Sequence, residues 1–309
     1  MSTLLITHPA CLEHVMPLGH PERPERLRAV ESALEAEKFQ TLERELAPLA
    51  PLEVVALCHP MDYIVALRDA SPAEGIIHLD GDTSMSPGTF EAALRAAGGG
   101  IHAVDEVVGK KAANAFVATR PPGHHAETAR PMGFCLFDNA AIAARYAQDR
   151  HGIARAAIVD FDVHHGNGSQ EIFWADKTVM YCSTHQMPLF PGTGAVGESG
   201  DYNTIVNAPL RPGDGPKAFR DAFDSRILPR LAEFKPELII ISAGFDAHMR
   251  DPLANINLAE EDFAWATQKI MDIADACAAG RIVSLLEGGY DLQALGNSAA
   301  AHVATLMRG

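Results

Sequence analysis

The chain has 309 residues, 47% of them apolar and 21% charged, which suits one large soluble α/β domain. Its 25 basic and 40 acidic side chains leave a formal charge of −15, which disfavours nonspecific nucleic-acid binding and mildly favours cationic substrates. Five scattered cysteines (Cys11, Cys58, Cys135, Cys182, Cys277) form no C-x-x-C pair, which argues against a disulfide framework or a cysteine zinc site and for a reducing compartment.

Apolar runs and amphipathic stretches alternate along the chain. Residues 4–7 read as a first strand and 25–39 as a helix, followed by a long helix at 89–108. A strand at 115–119, a helix at 138–149 and strands at 156–160 and 179–183 come next. The last part reads as helix 219–234, strand 238–242, helix 260–278, strand 282–286 and a terminal helix at 298–307. The strands are continuously apolar, as parallel strands covered on both faces should be, so the expected fold is a doubly wound α/β domain. Residues 189–201 and 209–216, rich in Pro and Gly, read as long loops. No repeat or linker interrupts the chain, and one domain over 1–309 is expected. The first residues lack a signal-peptide pattern, and no apolar run approaches the roughly 20 residues of a membrane span. The expectation is a cytoplasmic protein without a membrane partner.

Five of the strands run into polar clusters. Strand 115–119 leads to Arg120-Pro121-Pro122-Gly123-His124-His125, and strand 156–160 to Asp160-Phe161-Asp162-Val163-His164-His165-Gly166-Asn167-Gly168. Strand 179–183 leads to Ser183-Thr184-His185, 238–242 to Ser242-Ala243-Gly244-Phe245-Asp246, and 282–286 to Glu287-Gly288-Gly289-Tyr290-Asp291. Open parallel sheets bind ligands beyond the carboxyl ends of their strands, so these clusters are expected to converge.

Asp162 and His164, two apart at a strand end, should point to one face. With Asp246 they offer a divalent ion three ligands and leave a position for water. The donors suit zinc, and Fe(II), Co(II) or Mn(II) also fit. A lone buried Asp or His is usually a structural hydrogen-bonding group; the convergence of three favours ligation. His124 and His125 are the candidate bases, with Asp160 and Asn167 orienting their rings. His165 reads as a structural hydrogen-bonding residue. Tyr290, behind two glycines, is placed to polarise a carbonyl and stabilise an oxyanion. Phe134, after Gly133, and Phe190 are candidates for the walls of an apolar slot.

Together with His20-Pro21-Glu22-Arg23-Pro24-Glu25-Arg26 and Asp251-Pro252, these clusters closely resemble the zinc-dependent histone deacetylase and acetylpolyamine amidohydrolase superfamily, class II-type and bacterial members in particular. The resemblance spans nearly the whole chain. It implies an arginase-like three-layer α/β/α fold with a central, mostly parallel sheet, and one Zn2+ on Asp162, His164 and Asp246. It implies acid–base work by His124 and His125, carbonyl polarisation by Tyr290, and a substrate tunnel formed by Gly133, Phe134, Phe190 and Leu253. A structural K+ or Na+ would use Asp160, Asp162, His164, Ser183 and main-chain carbonyls, and Arg26 matches an arginine lining a product-release channel. Asn167 is Asp in some members, which leaves open how the two histidines divide acid and base roles. Leu253 stands where polyamine-selective relatives carry an acidic gatekeeper, so acyl-lysine or a related acylated amine is the expected substrate, with acetylpolyamine as the alternative.

Two other readings compete. A dimetal ureohydrolase needs further carboxylates, but Gly166 and His248 stand two residues beyond His164 and Asp246. A non-catalytic module for acylated amines would be expected to lose Tyr290 or a tandem histidine, and this chain keeps them. Gly192-Thr193-Gly194-Ala195-Val196-Gly197 matches G-x-G-x-x-G but precedes no helix, so it is not a dinucleotide site.

Overall fold

The computed structural model describes residues 2–309. Its strands are β1 (Thr3–Thr7), β2 (Glu43–Leu46), β3 (Ile77–His78), β4 (Ser84–Met85), β5 (Asn114–Val117), β6 (Ala156–Asp160), β7 (Val179–Gln186), β8 (Ile205–Leu210), β9 (Leu238–Ala243) and β10 (Ile282–Leu286). β3 and β4 form a small antiparallel hairpin. The other eight make one sheet in the order β2-β1-β5-β10-β9-β6-β7-β8, parallel throughout.

Helices cover both faces: α1 (Pro24–Ala33), α2 (Leu52–Val55), α3 (Met61–Ala70), α4 (Thr89–Val108), α5 (Asn139–His151), α6 (Asn167–Ile172), α7 (Pro216–Ala222), α8 (Leu228–Phe234), α9 (Glu260–Cys277) and α10 (Leu292–Leu306). Alternate residues of each central strand feed separate cores. On β9, Ile239 and Ile241 join Val30, Phe263 and Leu295 from α1, α9 and α10, while Leu238 and Ile240 join Ile101 and Ile142 from α4 and α5. Full burial stabilises each such side chain by about 1.5–3 kcal/mol. Demand from both faces is why these strands are apolar without alternation.

The differences from the sequence reading lie mainly at the edges. β2 is Glu-Arg-Glu-Leu, exposed throughout, and β8 carries Pro209; each has a single partner strand, so neither needs an apolar pattern, and Pro is tolerated. β7 continues through His185 to Gln186, pairing with β8, where the sequence reading ended it at Ser183. Helix 219–234 is built as α7 and α8 joined by a π-turn at Phe223–Ile227. α10 starts six residues earlier than expected. Asp291 caps it by accepting from Ala294 N at 2.9 Å, and Gly296 lets it approach α1, where a Cβ would stand 2.9 Å from the Ala29 carbonyl oxygen.

Candidate active site

The site lies beyond the carboxyl ends of β5, β6, β9 and β10, which are contiguous in the sheet. β6 ends at Asp160, so strand alternation does not place Asp162 and His164 together. Two side-chain turns do so instead: Asp160 Oδ1 accepts from Asp162 N at 3.0 Å, and Asp162 Oδ1 accepts from His164 N at 2.9 Å. The neighbouring loops are laced to this one. Val163 N donates to Asp246 Oδ1 at 2.8 Å, and Gly288 N to Asp162 Oδ2 at 2.8 Å.

Asp162, His164 and Asp246 are all buried, and one ligand atom from each lies within 4.8 Å of the others. His164 presents Nδ1, 3.2 Å from Asp162 Oδ1 and 3.0 Å from Asp246 Oδ2. A Cβ at Gly288 would stand 2.2 Å from Asp246 Oδ2 and 2.5 Å from Asp162 Oδ2, and one at Gly244 only 2.0 Å from Asp162 Oδ2. Glycine is therefore required at both positions. Burial, reinforced by the Asp162 charge, pushes Asp246 up to about 7. Two buried carboxylates and an imidazole nitrogen around one point are a donor set suited to a divalent cation. His248 turns to its own loop, where Nδ1 accepts from Arg250 N at 3.1 Å and Nε2 lies 3.6 Å from Glu260, so it supplies nothing to a second metal.

The tandem histidines have distinct partners. His124 Nδ1 donates to Asp160 Oδ2 at 2.9 Å, and His125 Nδ1 lies 2.9 Å from Asn167 Oδ1. Burial opposes a charge on either ring, but at His124 the Asp160 and Asp162 carboxylates outweigh it and hold the pKa well above the usual value. At His125 burial and the adjacent His124 charge act together and hold it well below. Asp160 also accepts from the Tyr181 hydroxyl at 2.9 Å. On the neighbouring strands Ser183 and Ser242 are its register partners. The Ser183 hydroxyl lies 2.8 Å from His185 Nδ1, whereas Ser242 Oγ is buried without a partner. His165 is bracketed by Thr193 Oγ1 at 2.7 Å and Gln170 Oε1 at 3.0 Å.

A cavity of about 250 Å³ opens at the histidines, lined by His125, His164, Gly133, Phe134, Leu189, Phe190, Leu253, Tyr290 and Asp82. Gly133 and Phe134 both have left-handed backbones, at φ +56° and +70°. Asp82 Oδ1 and Thr83 Oγ1, from the β3–β4 turn, hold their N–H groups at 3.2 and 3.0 Å. Phe190 packs edge-on to His125, with ring centroids 5.1 Å apart. Burial, reinforced by Asp246 and Asp162, raises the Tyr290 phenol well above its usual pKa despite nearby Arg26, so it is kept as a donor.

Behind Tyr290 lies a buried ion network. Arg26 sits over the Tyr290 ring at 4.8 Å and donates to the Gly289 and Glu287 carbonyls and to Glu22. Glu22 also takes a two-pronged contact from Arg120. The early His20–Arg26 motif thus supports the site from behind. Sequence reasoning assigned no role to Glu287, Asp82, Asp251 or Glu127. Glu287 Oε2 accepts from Gly123 N at 2.7 Å and His124 N at 3.2 Å, and burial pushes it up to about 8. Its place in a strand-end cluster was the available signal.

The chain is similar to known proteins over most of its length. The histone deacetylase domain model matches residues 20–306. A probable deacetylase from Archaeoglobus fulgidus is 41% identical over 299 residues, covering 95% of this chain and 82% of the relative. A histone deacetylase-like amidohydrolase from Pseudomonas aeruginosa is 39% identical, covering 88% of this chain and 73% of that protein. The crystal structure of the HDA15 HD domain superposes with a TM-score of 0.94 at 34% identity, covering 99% of this chain and 88% of that one. By sequence and by fold, the chain belongs to the histone deacetylase family of amide hydrolases.

Proposed function

We propose that this chain is a single-domain, zinc-dependent deacylase that removes an acyl group, acetyl foremost, from the side-chain amine of lysine or a related primary amine. The observation that carries this reading is the meeting of the Asp162/His164/Asp246 cluster, His125 and Tyr290 around one mainly apolar-walled cavity. Phe134, Phe190 and Leu253 suit the alkyl chain of an acylated amine.

Asp162, His164 and Asp246 would hold the ion, which supplies Lewis acidity for the acyl carbonyl and the attacking water. His125, with Nδ1 committed to Asn167, presents Nε2 as the base for that water. The Tyr290 hydroxyl donates to the oxyanion developing on the acyl carbonyl. As the C–N bond breaks, the histidine pair returns a proton to the leaving amine, giving a carboxylic acid and a free amine. Arg26, behind Tyr290, is assigned to the exit of the acid product. A K+ or Na+ ion beside Asp160, Asp162, His164 and Ser183 completes the proposal, and the unpartnered Ser242 Oγ nearby supports it.

Leu253 in the cavity lining favours acyl-lysine. Acetylpolyamine is the second reading, because Asp82 adds a carboxylate to the same lining. A cytoplasmic setting is supported by five free thiols, and no helix among the described residues is long and apolar enough to cross a membrane. The test is initial rates of the zinc-loaded protein on acetyl-lysine peptides, longer acyl-lysines and acetylated spermidine or putrescine, side by side. Peptide turnover abolished by chelation supports the lysine reading. Faster polyamine turnover keeps the mechanism and overturns the substrate, whereas inactivity on every substrate with zinc bound supports a binding module instead.

A further inference from the structure

Asn167 lies between His125 and Glu127. Its Oδ1 is 2.9 Å from His125 Nδ1, while its Nδ2 donates to Glu127 Oε1 at 2.9 Å, to Met132 Sδ at 3.3 Å and, at the longer distance of 3.4 Å, to the His125 carbonyl oxygen. A carboxamide exchanges donor and acceptor by a half-turn about its last bond. Turned round, Asn167 would offer NH2 to His125 Nδ1 and a carbonyl oxygen to Glu127. A carboxylate has only acceptors, so Glu127 rejects that orientation. With the oxygen held towards His125, the ring must carry its proton on Nδ1, which leaves Nε2 bare. Packing alone does not impose this, because Asn167 and Glu127 also border a second cavity of about 320 Å³ with Thr193 and Trp174.

We propose that Glu127 is a positioning residue, which sets the His125 tautomer by fixing the Asn167 amide. The inference rests on reading His125 as the base in the proposed deacylation. An aspartate at position 167 would need no such guide, since both its oxygens accept. Glu127 would then be a like charge at hydrogen-bond distance and would disfavour the arrangement.

The experiment uses the zinc-loaded full chain with 15N-labelled histidine, assigning His125 by the signals lost in His125→Ala. NMR should show a single Nδ1–H tautomer for His125 in the wild type and lose that uniqueness in Glu127→Gln, whose own amide can turn its NH2 towards Asn167. Glu127→Ala should give a mixture of tautomers. The same substitution should lower kcat about 10-fold, part of what a general base contributes, with KM unchanged; Glu127→Gln should lower kcat as well, because its amide accepts either orientation of Asn167. In an Asn167→Asp background, Glu127→Ala should raise kcat rather than lower it. A single Nδ1–H tautomer in Glu127→Ala, or an equal loss of kcat in both backgrounds, overturns the proposal. The tautomer is read without turnover, so a wild type inactive on acylated amines would remove the deacylase reading and still leave the role of Glu127 decided.

Discussion

The Asp251 carboxylate accepts the backbone N–H of Tyr290 at 2.7 Å through Oδ2, while its Oδ1 accepts from Leu253 N at 2.9 Å. One buried side chain thereby sets the spacing between Tyr290, the proposed oxyanion donor, and a wall of the cavity. Asp251→Ala removes both acceptors and leaves two main-chain donors short of partners, at about 1–3 kcal/mol each where they stay dry. The expected outcome is a loss of about 10–100-fold in kcat/KM, since Tyr290 loses its fixed position, with zinc content unchanged. Metal analysis alongside kinetics checks this. Loss of zinc in the variant would mean that Asp251 supports the ligands rather than Tyr290.

Tyr290→Phe removes a hydroxyl and little else. Turnover should fall about 10²–10³-fold, the range for loss of one oxyanion donor. KM and bound zinc should stay close to wild type, because the ring still packs on Phe134, with centroids 6.0 Å apart. Near-normal kcat in this variant would refute the assigned role.

Gly288→Ala tests the ligand cradle without touching a ligand. Its methyl group would need the space held by the Asp246 and Asp162 oxygens, so the two carboxylates would have to separate. The expected zinc content is well below one per chain, as for Asp246→Ala. In the wild type, zinc at about 100 times its Kd should contribute about 2.7 kcal/mol and raise Tm on the order of 5 °C. Thermal denaturation with and without chelator should show this difference in the wild type and lose it in both variants.

His302 gives a pH prediction that does not involve the proposed metal ligands. It is fully buried between Thr267 Oγ1 at 2.6 Å and Ser284 Oγ at 2.8 Å, and burial lowers its pKa to about 3. Its unfolded value is near 6.5. Between pH 6.5 and about 3 the unfolded chain therefore binds the extra proton, so stability falls as the solution is acidified. The stability difference between wild type and His302→Gln should shift against the wild type by about 1.4 kcal/mol per pH unit below 6.5. Urea unfolding of both proteins at pH 7, 6 and 5 measures it; a constant difference would show that His302 does not titrate as argued.

Much of the fold was legible because burial on two faces writes a plain signal. β6, β9 and β10 are apolar at nearly every position, since each residue feeds one core or the other. β2 and β8 left no such mark: an edge strand with one partner can be Glu-Arg-Glu-Leu or contain Pro209. The β3–β4 hairpin is two residues on each side, too short to register, yet its turn supplies Asp82 to the cavity lining, and Asp82 and Thr83 hold the N–H groups of Gly133 and Phe134 in that wall.

By itself the sequence determined which chemical groups this protein has and which strand ends carry them. Asp162, His164, Asp246, His124, His125 and Tyr290 were all legible, because polar residues following apolar strands stand out against the core. Only the tertiary structure decided how those groups face one another. Asp162 and His164 meet through side-chain turns begun at Asp160, not through strand alternation. Glu127, Asp251 and Glu287 act by accepting backbone or amide N–H groups. These pairings, Glu127 with Asn167, Asp251 with Tyr290 and Glu287 with Gly123, are 40, 39 and 164 residues apart in the chain. Such contacts depend on hydrogen-bond directions set by the folded backbone, and no local periodicity encodes them.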